Sequence, residues 1–462
     1  MKRAALEYLV DWKAKPSRKP LVVRGARQVG KSYLVEQFGD EQFDGVVRID
    51  FERDPDIAEL FDPMSPREII RLLEVRLGTD IVPGQTLLFL DEIQAAPKAF
   101  AALRYFHEEL PQLHVIAAGS LLEFLLGDEA TPVPVGRVEY LHLGPMQFEE
   151  FLLAGGHTKL LSLLNGLGSR ESIPESIHVQ LMRLVRQFFA VGGMPEVVRT
   201  FIESGSLRAC DETKRALLTT FQEDFAKYRG RFNPDRLRAV FARVPALVGM
   251  KFKYVHVDPE QRSRDLKPAL DALCHARIAH RVPHSSCSGI PLGATASQRH
   301  FKVLFMDVGL LAGICGLNLV DFEQAEDIMQ VNAGAVCEQY VGQHLLYSLP
   351  PYCEPGLHFW TREAKTSSAE VDYVISEGPR IIPIEVKAGK TGTLRSLHRF
   401  LHAKRCSFAV RLNADRPSLT SATVALPEGD SVSFELLSLP LYMAGQVRRL
   451  CGEWSLGDIP QR

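Results

Sequence analysis

The chain alternates short, continuously apolar runs with longer segments in which apolar residues recur every three or four positions. The runs at 21–23, 86–90 and 113–118 are typical of strands buried on both faces of a parallel sheet. Phe100, Leu103, Phe106 and Leu110 lie between the last two runs and follow helical spacing. This alternation predicts an α/β fold for the first part of the chain.

A phosphate-loop pattern joins the first of these strands to a helix. It reads GARQVGKS and comprises Gly25, Ala26, Arg27, Gln28, Val29, Gly30, Lys31 and Ser32. The glycines allow a tight turn whose backbone N–H groups point inward at the start of a helix, where an anion is favoured. Lys31 is expected to reach the β and γ phosphates and Ser32 to bind Mg²⁺, so the loop predicts a site for ATP with Mg²⁺.

Two carboxylates follow the strand at 86–90. We expect Asp91 to enter the Mg²⁺ shell and Glu92 to orient or deprotonate the attacking water. The alternative is a solvated strand end. Their position about sixty residues behind the phosphate loop favours the catalytic interpretation.

Five motifs in chain order carry a resemblance to a known family: GARQVGKS, LFLDEIQ, AAGSLLEF, a Gly136–Arg137 step and PMQFEEF. Together they resemble the AAA-type ATP-binding proteins of bacteria and archaea whose C-terminal half is a domain of unknown function. FFAVGGMPEVV at 188–198 and FKVLFMDVGLL at 301–311 extend the resemblance over nearly the whole chain. The resemblance implies an AAA+-like P-loop NTPase domain over residues 1–155.

Two further site residues are implied by this resemblance. Ser120, at a strand tip, would contact the γ-phosphate or the attacking water, although a serine after a glycine is also an ordinary helix cap. Arg137 could reach the γ-phosphate of a neighbouring subunit, which would make the protein a homo-oligomer, either a dimer or a ring. The alternative for Arg137 is a surface salt bridge.

Residues 156–330 are predicted to form a helical middle domain. Seven basic residues stand against four acidic ones between 251 and 281, and a helix there precedes a predicted hairpin, which is the outline of a winged helix. Such a module could contact DNA phosphates. A lid over the ATP site and an oligomer contact are the alternatives.

The C-terminal domain, residues 331–462, carries a second set of charged residues. Alternation in RIIPIEVKAGK places Glu385 and Lys387 on one face of a strand, and Asp372 lies in the preceding strand of an apparent hairpin. Glu338 falls on the apolar stripe of a helix, where its charge needs compensation by a metal or by Lys387. Glu338, Asp372 and Glu385 are candidate ligands of Mg²⁺ or Mn²⁺, with Lys387 as a catalytic cation.

This four-part set resembles the restriction-endonuclease-like nuclease superfamily, although the proline that often precedes the aspartate is missing. The resemblance implies a restriction-endonuclease-like α/β domain and a metal-dependent DNase. The alternative is a nuclease-like scaffold that only binds DNA or a protein, in an ATP-dependent switch or remodeller. A third possibility is a repair or junction motor whose ATP turnover is stimulated by DNA.

Composition changes this picture little. The formal charge of −2 restricts any DNA-binding surface to a local patch. No apolar run has the ~18 residues of a membrane helix and the N-terminus is unlike a secretory signal, so we expect a cytoplasmic protein without membrane association. The eight cysteines form no CxxC pair, which fits reduced thiols.

Overall fold

The structure is a computed structural model. It describes residues 1–119, 134, 136–225, 232–317, 333–364, 367–389, 393–427 and 429–457. Contacts divide the chain into two compact units. The first unit comprises residues 1–145, 275–278 and 349–355, and the second comprises residues 146–274, 279–348 and 356–462.

The first unit contains a five-stranded sheet in the order β2-β3-β4-β1-β5, in which every pair is parallel. Its strands are β1 Leu21–Arg24, β2 Gly45–Asp50, β3 Thr86–Asp91, β4 His114–Gly119 and β5 Glu139–His142. Its helices are α1 Ala5–Ala14, α2 Lys31–Gln42, α3 Pro66–Leu77 and α4 Pro97–Glu109. Every residue of β3 and β4 is buried. The prediction of a parallel α/β sheet from the continuous apolar runs is confirmed.

The second unit contains an eight-stranded mixed sheet in the order β12-β13-β11-β10-β9-β8-β6-β7. Its strands are β6 Ala279–Ser285, β7 Ala296–Phe305, β8 His358–Ala364, β9 Ser367–Glu377, β10 Arg380–Val386, β11 Phe408–Asn413, β12 Ser418–Ala425 and β13 Ser431–Pro440. β9 and β10 form an antiparallel hairpin, whereas β11 pairs in parallel with both β10 and β13.

Helices carry most of the remaining chain of the second unit. They are α5 Phe148–Ala154, α6 Thr158–Gly166, α7 Glu175–Val191, α8 Pro195–Ser204, α9 Leu207–Asp224, α10 Pro234–Arg243, α11 Ser263–His275, α12 Val308–Ile314, α13 Ala333–Leu346, α14 Arg395–Lys404 and α15 Val447–Gly457. The last residue of α11, His275, falls within the first unit by contacts. Among all the helices described here, none combines the length and the apolar character that a bilayer span requires.

The division by contacts differs from the predicted domains 1–155, 156–330 and 331–462. The predicted helix and hairpin of the middle segment are present as α11, β6 and β7. β6, however, also pairs with β8 through His284 and Phe359, so the hairpin forms one edge of the C-terminal sheet. Strand pairing therefore joins parts of the predicted middle and C-terminal domains in one sheet. The winged-helix assignment stays a prediction.

Candidate functional site

The phosphate loop connects β1 to α2, as the sequence predicts. Gly30 caps α2 with φ of +89°, a left-handed conformation that glycine adopts without strain. At Gly25, a Cβ atom would lie 2.2 Å from the carbonyl oxygen of Leu143, so only glycine fits there. The loop therefore has the backbone conformation that its two fixed glycines predict.

Lys31 is folded against its own loop. Its ammonium is almost completely buried and donates to the carbonyl oxygens of Gly25 at 3.0 Å and Ala26 at 2.8 Å. Burial lowers the pKa of Lys31 from 10.5 to about 8, and the nearby carboxylates of Glu92 and Asp91 oppose this shift. The ammonium thus donates to the loop carbonyls. The oxygens of a nucleotide phosphate would be stronger acceptors, because they carry charge.

The loop is braced by residues that the sequence analysis missed. Arg3, which is buried ahead of α1, donates to the carbonyl oxygens of Val29 at 2.6 Å and Gly144 at 2.8 Å. Arg27 forms an ion pair with Glu52 at 3.2 Å. An arginine three residues from the N-terminus gives no periodic or motif signal, so its role could not be predicted.

Asp91 ends β3 and Glu92 follows it, as predicted. Asp91 is buried, and its Oδ2 lies 2.7 Å from Arg48 Nη2 on the neighbouring strand β2. Glu92 has φ of +49°, and its Oε2 accepts a 2.6 Å hydrogen bond from Gln94 Nε2. Arg48 and Gln94 are the polar partners of the two carboxylates, and neither was singled out from the sequence.

Ser32 and Asp91 supply the hydroxyl and carboxylate oxygens that Mg²⁺ prefers, so the residues present fit the predicted ion. Ser32 follows Lys31 in the first turn of α2 and is half-buried. The Asp91 carboxylate already has one cation beside it, the Arg48 guanidinium. A metal ion at Asp91 would therefore compete with an existing ion pair.

The two residues implied by the family resemblance have different outcomes. Ser120 lies outside the described residues. Arg137 Nε forms a 2.8 Å ion pair with Glu108 Oε1, and its side chain is 45% exposed. This is the surface salt bridge that the sequence left open as an alternative, and the role of Arg137 towards a neighbouring subunit stays a prediction.

The second set of predicted residues comes together in the C-terminal sheet. Asp372 on β9 accepts at Oδ2 a 2.8 Å hydrogen bond from the backbone N–H of Val386, at the end of β10. Glu385 lies one residue earlier, and its Oε1 is 2.7 Å from Lys387 Nζ. Strand pairing between β9 and β10 therefore produces the adjacency that the hairpin pattern predicts.

The Glu385 carboxylate differs from the other acids of this set in its hydrogen bonding. It is 5% exposed, and within the described part of the chain its Oε2 has no hydrogen-bond partner. Burial, with the charge of Asp372, raises the pKa of Glu385 from 4.5 to about 7, while Lys387 opposes the shift. An oxygen left bare in this way fits a bound cation, because burying it without a partner is costly.

Glu338 is compensated differently from the prediction. Its Oε2 lies 3.3 Å from the ammonium of Lys302 on β7, whereas the sequence predicts Lys387 or a metal as its partner. Lys302 also lies 2.6 Å from Glu370 and 3.6 Å from Asp372. Lys302 was missed because its segment is separated from the predicted residues by a long stretch of chain and meets them only in the folded sheet. Glu370 lies on β9 two residues before Asp372, and its role becomes visible only through its contact with Lys302.

The pKa values of this group follow from its charges. Burial raises the pKa of Glu338 to about 8, and the charge of Asp372 adds to the shift. The pKa of Lys302 is raised by Glu338, Asp372 and Glu370 in spite of its burial. Lys302 is therefore a permanent cation that several carboxylates share.

The metal prediction is only partly matched by this geometry. Across residues 1–457 with the gaps given above, no group of three or more His, Cys, Asp or Glu side chains could hold a metal ion. Asp372 and Glu385 can contribute two carboxylates, whereas Glu338 is turned towards Lys302. The metal roles of Glu338, Asp372 and Glu385 stay predictions.

The basic segment of the middle region is partly neutralised within the chain. Arg281 Nη1 lies 2.6 Å from Asp271 Oδ1, and Arg281 packs over the ring of Phe301. Such a paired arginine is less available to phosphate. DNA contact by this segment stays a prediction.

Comparison with known families covers three stretches of the chain. Residues 17–152 match an AAA domain, residues 182–321 match a domain of unknown function, DUF8612, and residues 333–427 match another, DUF4143. The comparison with curated proteins gave no match. With the phosphate loop and parallel sheet described above, the first match indicates a P-loop domain of the AAA type over residues 17–152.

Similar solved structures include a Walker-type ATPase of Pyrococcus abyssi, with 17% identity, a TM-score of 0.44, and coverage of 68% of this chain and 95% of that one. The ORC2 protein of Aeropyrum pernix in ADPNP-ADP complexes has 14% identity, a TM-score of 0.36, and coverage of 70% and 96%. The ORC1 protein of the same organism in complex with DNA has 14% identity, a TM-score of 0.28, and coverage of 68% and 91%. Structures this distant support no argument about function.

Proposed function

We propose that the chain hydrolyses ATP in its first unit and couples turnover to metal-dependent cleavage or processing of DNA in its second unit. The observation that carries the second half of this proposal is the bare Glu385 Oε2 oxygen beside Asp372 and Lys387. A carboxylate pair with an adjacent lysine suits phosphodiester hydrolysis, because it can bind a hard cation and neutralise the charge that develops on phosphate.

In the ATP step, Lys31 binds the β and γ phosphates after its ammonium leaves the carbonyls of Gly25 and Ala26. Glu92 orients the attacking water and accepts its proton, while the Gln94 amide fixes the direction of the Glu92 carboxylate. Ser32 and Asp91 would hold Mg²⁺, which supplies charge neutralisation at the β and γ phosphates. Ser120 at the γ-phosphate and Arg137 in a neighbouring subunit complete the proposed site.

In the DNA step, Asp372 and Glu385 would hold Mg²⁺ or Mn²⁺, which would polarise the scissile phosphate. Lys387 stabilises the negative charge of the transition state, and its contact with Glu385 fixes both side chains. The backbone N–H of Val386 orients Asp372 by occupying one of its oxygens.

The cleavage experiment uses the full-length protein with linear, branched and single-stranded DNA, ATP, and Mg²⁺ or Mn²⁺. We expect Asp372→Asn to abolish cleavage while ATP turnover persists, and Lys31→Ala to abolish ATP turnover. Asp430→Asn, at an exposed turn of the same unit, is the matched control and should cleave as wild type does. Absence of cleavage by the wild type, or equal cleavage by Asp372→Asn, would refute the nuclease proposal.

A second candidate is an ATP-dependent switch whose C-terminal unit only binds DNA or a protein partner. The observation that favours it is Lys302, which already neutralises part of the acidic cluster without a metal. Under this alternative DNA binding persists without strand scission, Lys31→Ala abolishes the biological effect, and Asp372→Asn leaves it intact. DNA-stimulated ATP turnover without cleavage would instead indicate a junction motor.

A further inference from the structure

Lys302 is the centre of a cluster that comprises Lys302, Glu338, Glu370 and Asp372, here called the Lys302 cluster. The lysine is 2% exposed and lies on β7, inside the FKVLFMDVGLL segment. Its ammonium is 2.6 Å from Glu370 Oε1, 3.3 Å from Glu338 Oε2 and 3.6 Å from Asp372 Oδ1. Three carboxylate oxygens from one helix and one strand thus converge on a single cation.

An aromatic ring also lies near the ammonium. The ring of Phe359 on β8 has its centroid 5.5 Å from Lys302 Nζ, within the range of a cation–π contact. Gly249 gives the Glu338 carboxylate its space, since a Cβ there would lie 3.2 Å from Glu338 Oε1. The Phe359 ring therefore lies beside the lysine, and the absence of a side chain at Gly249 leaves room for the Glu338 carboxylate.

Burial makes the members of this cluster depend on one another. An isolated ammonium or carboxylate costs several kcal/mol to bury, and removing one partner of a buried pair leaves the other uncompensated. Three acids around one lysine leave an excess of negative charge. A metal ion would satisfy the same oxygens, but the lysine is part of the chain and is present before any ion binds.

We infer that Lys302 is a positioning residue that acts as the resident cation of this cluster, in the place that a divalent metal ion would otherwise occupy. Its ammonium pairs most closely with Glu370 and Glu338, at 2.6 and 3.3 Å, so these two acids are not metal ligands in the native protein, whereas Asp372, at 3.6 Å, stays available to an ion. Any ion in this unit is held by Glu385 with Asp372. The inference goes beyond the proposed function, because it applies whether or not DNA is cleaved.

Replacement of Lys302 by methionine tests this inference, because methionine keeps much of the volume and removes the charge. The measurement is thermal unfolding of full-length protein without nucleotide, with and without millimolar Mn²⁺, in a Ser32→Ala background that weakens metal binding at the first site. We expect Lys302→Met to unfold at a lower temperature and Mn²⁺ to restore part of the loss. Its Mn²⁺ affinity should exceed that of the parent by about tenfold or more, as expected when a cation is removed from buried carboxylates.

Lys214→Met is the matched control. Lys214 is another buried lysine of the same unit, and its ammonium donates to the carbonyl oxygen of Ala190 at 2.9 Å and pairs with Asp211 at 3.5 Å. Its replacement should lower the unfolding temperature without any rescue by Mn²⁺. Equal behaviour of the two variants would overturn the inference, because it would reduce Lys302 to an ordinary buried lysine.

If Lys302→Met does not fold in the absence of metal, the yield of folded protein after refolding is measured instead. Mn²⁺ should then raise the refolding yield of Lys302→Met and leave that of Lys214→Met unchanged. The double variant Lys302→Met/Glu338→Gln, which removes the lysine together with one of its three acids, should refold better and respond less to Mn²⁺. A double variant that folds no better and responds as strongly to Mn²⁺ would contradict the assignment of Glu338 to Lys302.

Discussion

Arg48 Nη2 lies 2.7 Å from Asp91 Oδ2, so the carboxylate expected in the Mg²⁺ shell is already paired with a cation from the neighbouring strand. The same guanidinium contacts Glu36 on α2, one turn beyond Ser32, and lies 3.7 Å from Asp50. Arg48 is therefore shared among three acids on three elements of the ATP site. The arginine stabilises the Asp91 carboxylate and would compete with a metal ion for it.

Arg48→Gln should lower the Mg²⁺ concentration needed for half-maximal ATP turnover by about two- to fivefold, the range expected from losing a partly exposed ion pair. The measurement is ATP turnover against Mg²⁺ concentration at saturating nucleotide. Arg76→Gln is the control, since Arg76 forms an exposed pair with Asp54 in the same unit. A higher Mg²⁺ requirement in Arg48→Gln would mean that Arg48 orients Asp91 for metal instead of competing with it.

ATP affinity should decrease as pH rises through about 8, because burial lowers the pKa of Lys31 to about 8 in the absence of nucleotide. Phosphate binds the ammonium more strongly than the neutral amine, so binding above this pH requires uptake of a proton. The affinity should fall by up to about tenfold per pH unit above the pKa. Titrations between pH 7 and 9.5 measure it.

Lys31→Met provides the reference for that titration. Its residual affinity should be weaker and should change little over the same pH range, because the titrating group is gone. A wild-type affinity that is constant up to pH 9.5 would show that the ammonium stays protonated in the free protein.

The predictability of the ATP site from sequence has a physical reason. Gly25, Gly30 and Lys31 belong to one contiguous loop whose backbone conformation is local, and Asp91 ends a strand that is apolar throughout. Arg48 and Gln94 make side-chain contacts that depend on strand order and rotamers. Those contacts have no signature in a single sequence.

The second unit was less predictable because its site depends on long-range pairing. Asp372, Glu385 and Lys387 lie in the hairpin of β9 and β10 and the residue that follows it. The two-residue alternation of side chains along a strand was therefore enough to predict that they lie close together. Lys302 reaches them only because β6 and β7 join the edge of the C-terminal sheet. A lysine within the otherwise apolar segment FKVLF was the one available signal, since burying it requires an acidic partner.

His344 couples the stability of the second unit to pH. Its Nε2 lies 2.9 Å from the backbone nitrogen of Phe148, the first residue of α5, and its Nδ1 lies 2.8 Å from the carbonyl oxygen of Tyr340. A backbone N–H can only donate, so Nε2 accepts and Nδ1 carries the proton. Burial lowers the pKa of His344 from 6.5 to about 4, which keeps the ring neutral.

The sign of the pH effect follows from the lowered pKa. Between pH 6.5 and 4 the unfolded chain binds a proton at His344 and the folded chain does not, so stability is lost as pH falls through this window. The loss reaches up to about 3 kcal/mol in the free energy of unfolding. Urea unfolding from pH 7 to 4 should give a shallower pH dependence for His344→Gln than for wild type.

An exposed histidine of the same unit serves as the control for that experiment. His300→Gln should follow the wild-type pH dependence, because the ring of His300 is exposed. Parallel curves for wild type and His344→Gln would contradict the assignment of a neutral, hydrogen-bonded ring.

The segments FFAVGGMPEVV and FKVLFMDVGLL meet at Asp307, which is fully buried. Its Oδ2 accepts a 2.6 Å hydrogen bond from the backbone N–H of Gly193, and its Oδ1 accepts one of 2.9 Å from Leu310 at the start of α12. Gly192 has φ of +79°, and a Cβ there would lie 2.2 Å from Asp307 Oδ1. Glycine at position 192 is thus required for the carboxylate to reach the backbone of the other segment.

Gly192→Ala should therefore destabilise the second unit by about 3 kcal/mol or more, through both backbone strain and displacement of a buried carboxylate. Gly205→Ala is the matched control: Gly205 also has positive φ, +63°, but no atom of a neighbouring residue lies within 4 Å of the place that an alanine Cβ would take. It should cost only about 1 kcal/mol, the strain of a left-handed alanine. Urea midpoints at neutral pH measure both variants, and equal losses would mean that Asp307 and its contacts contribute nothing beyond the backbone conformation.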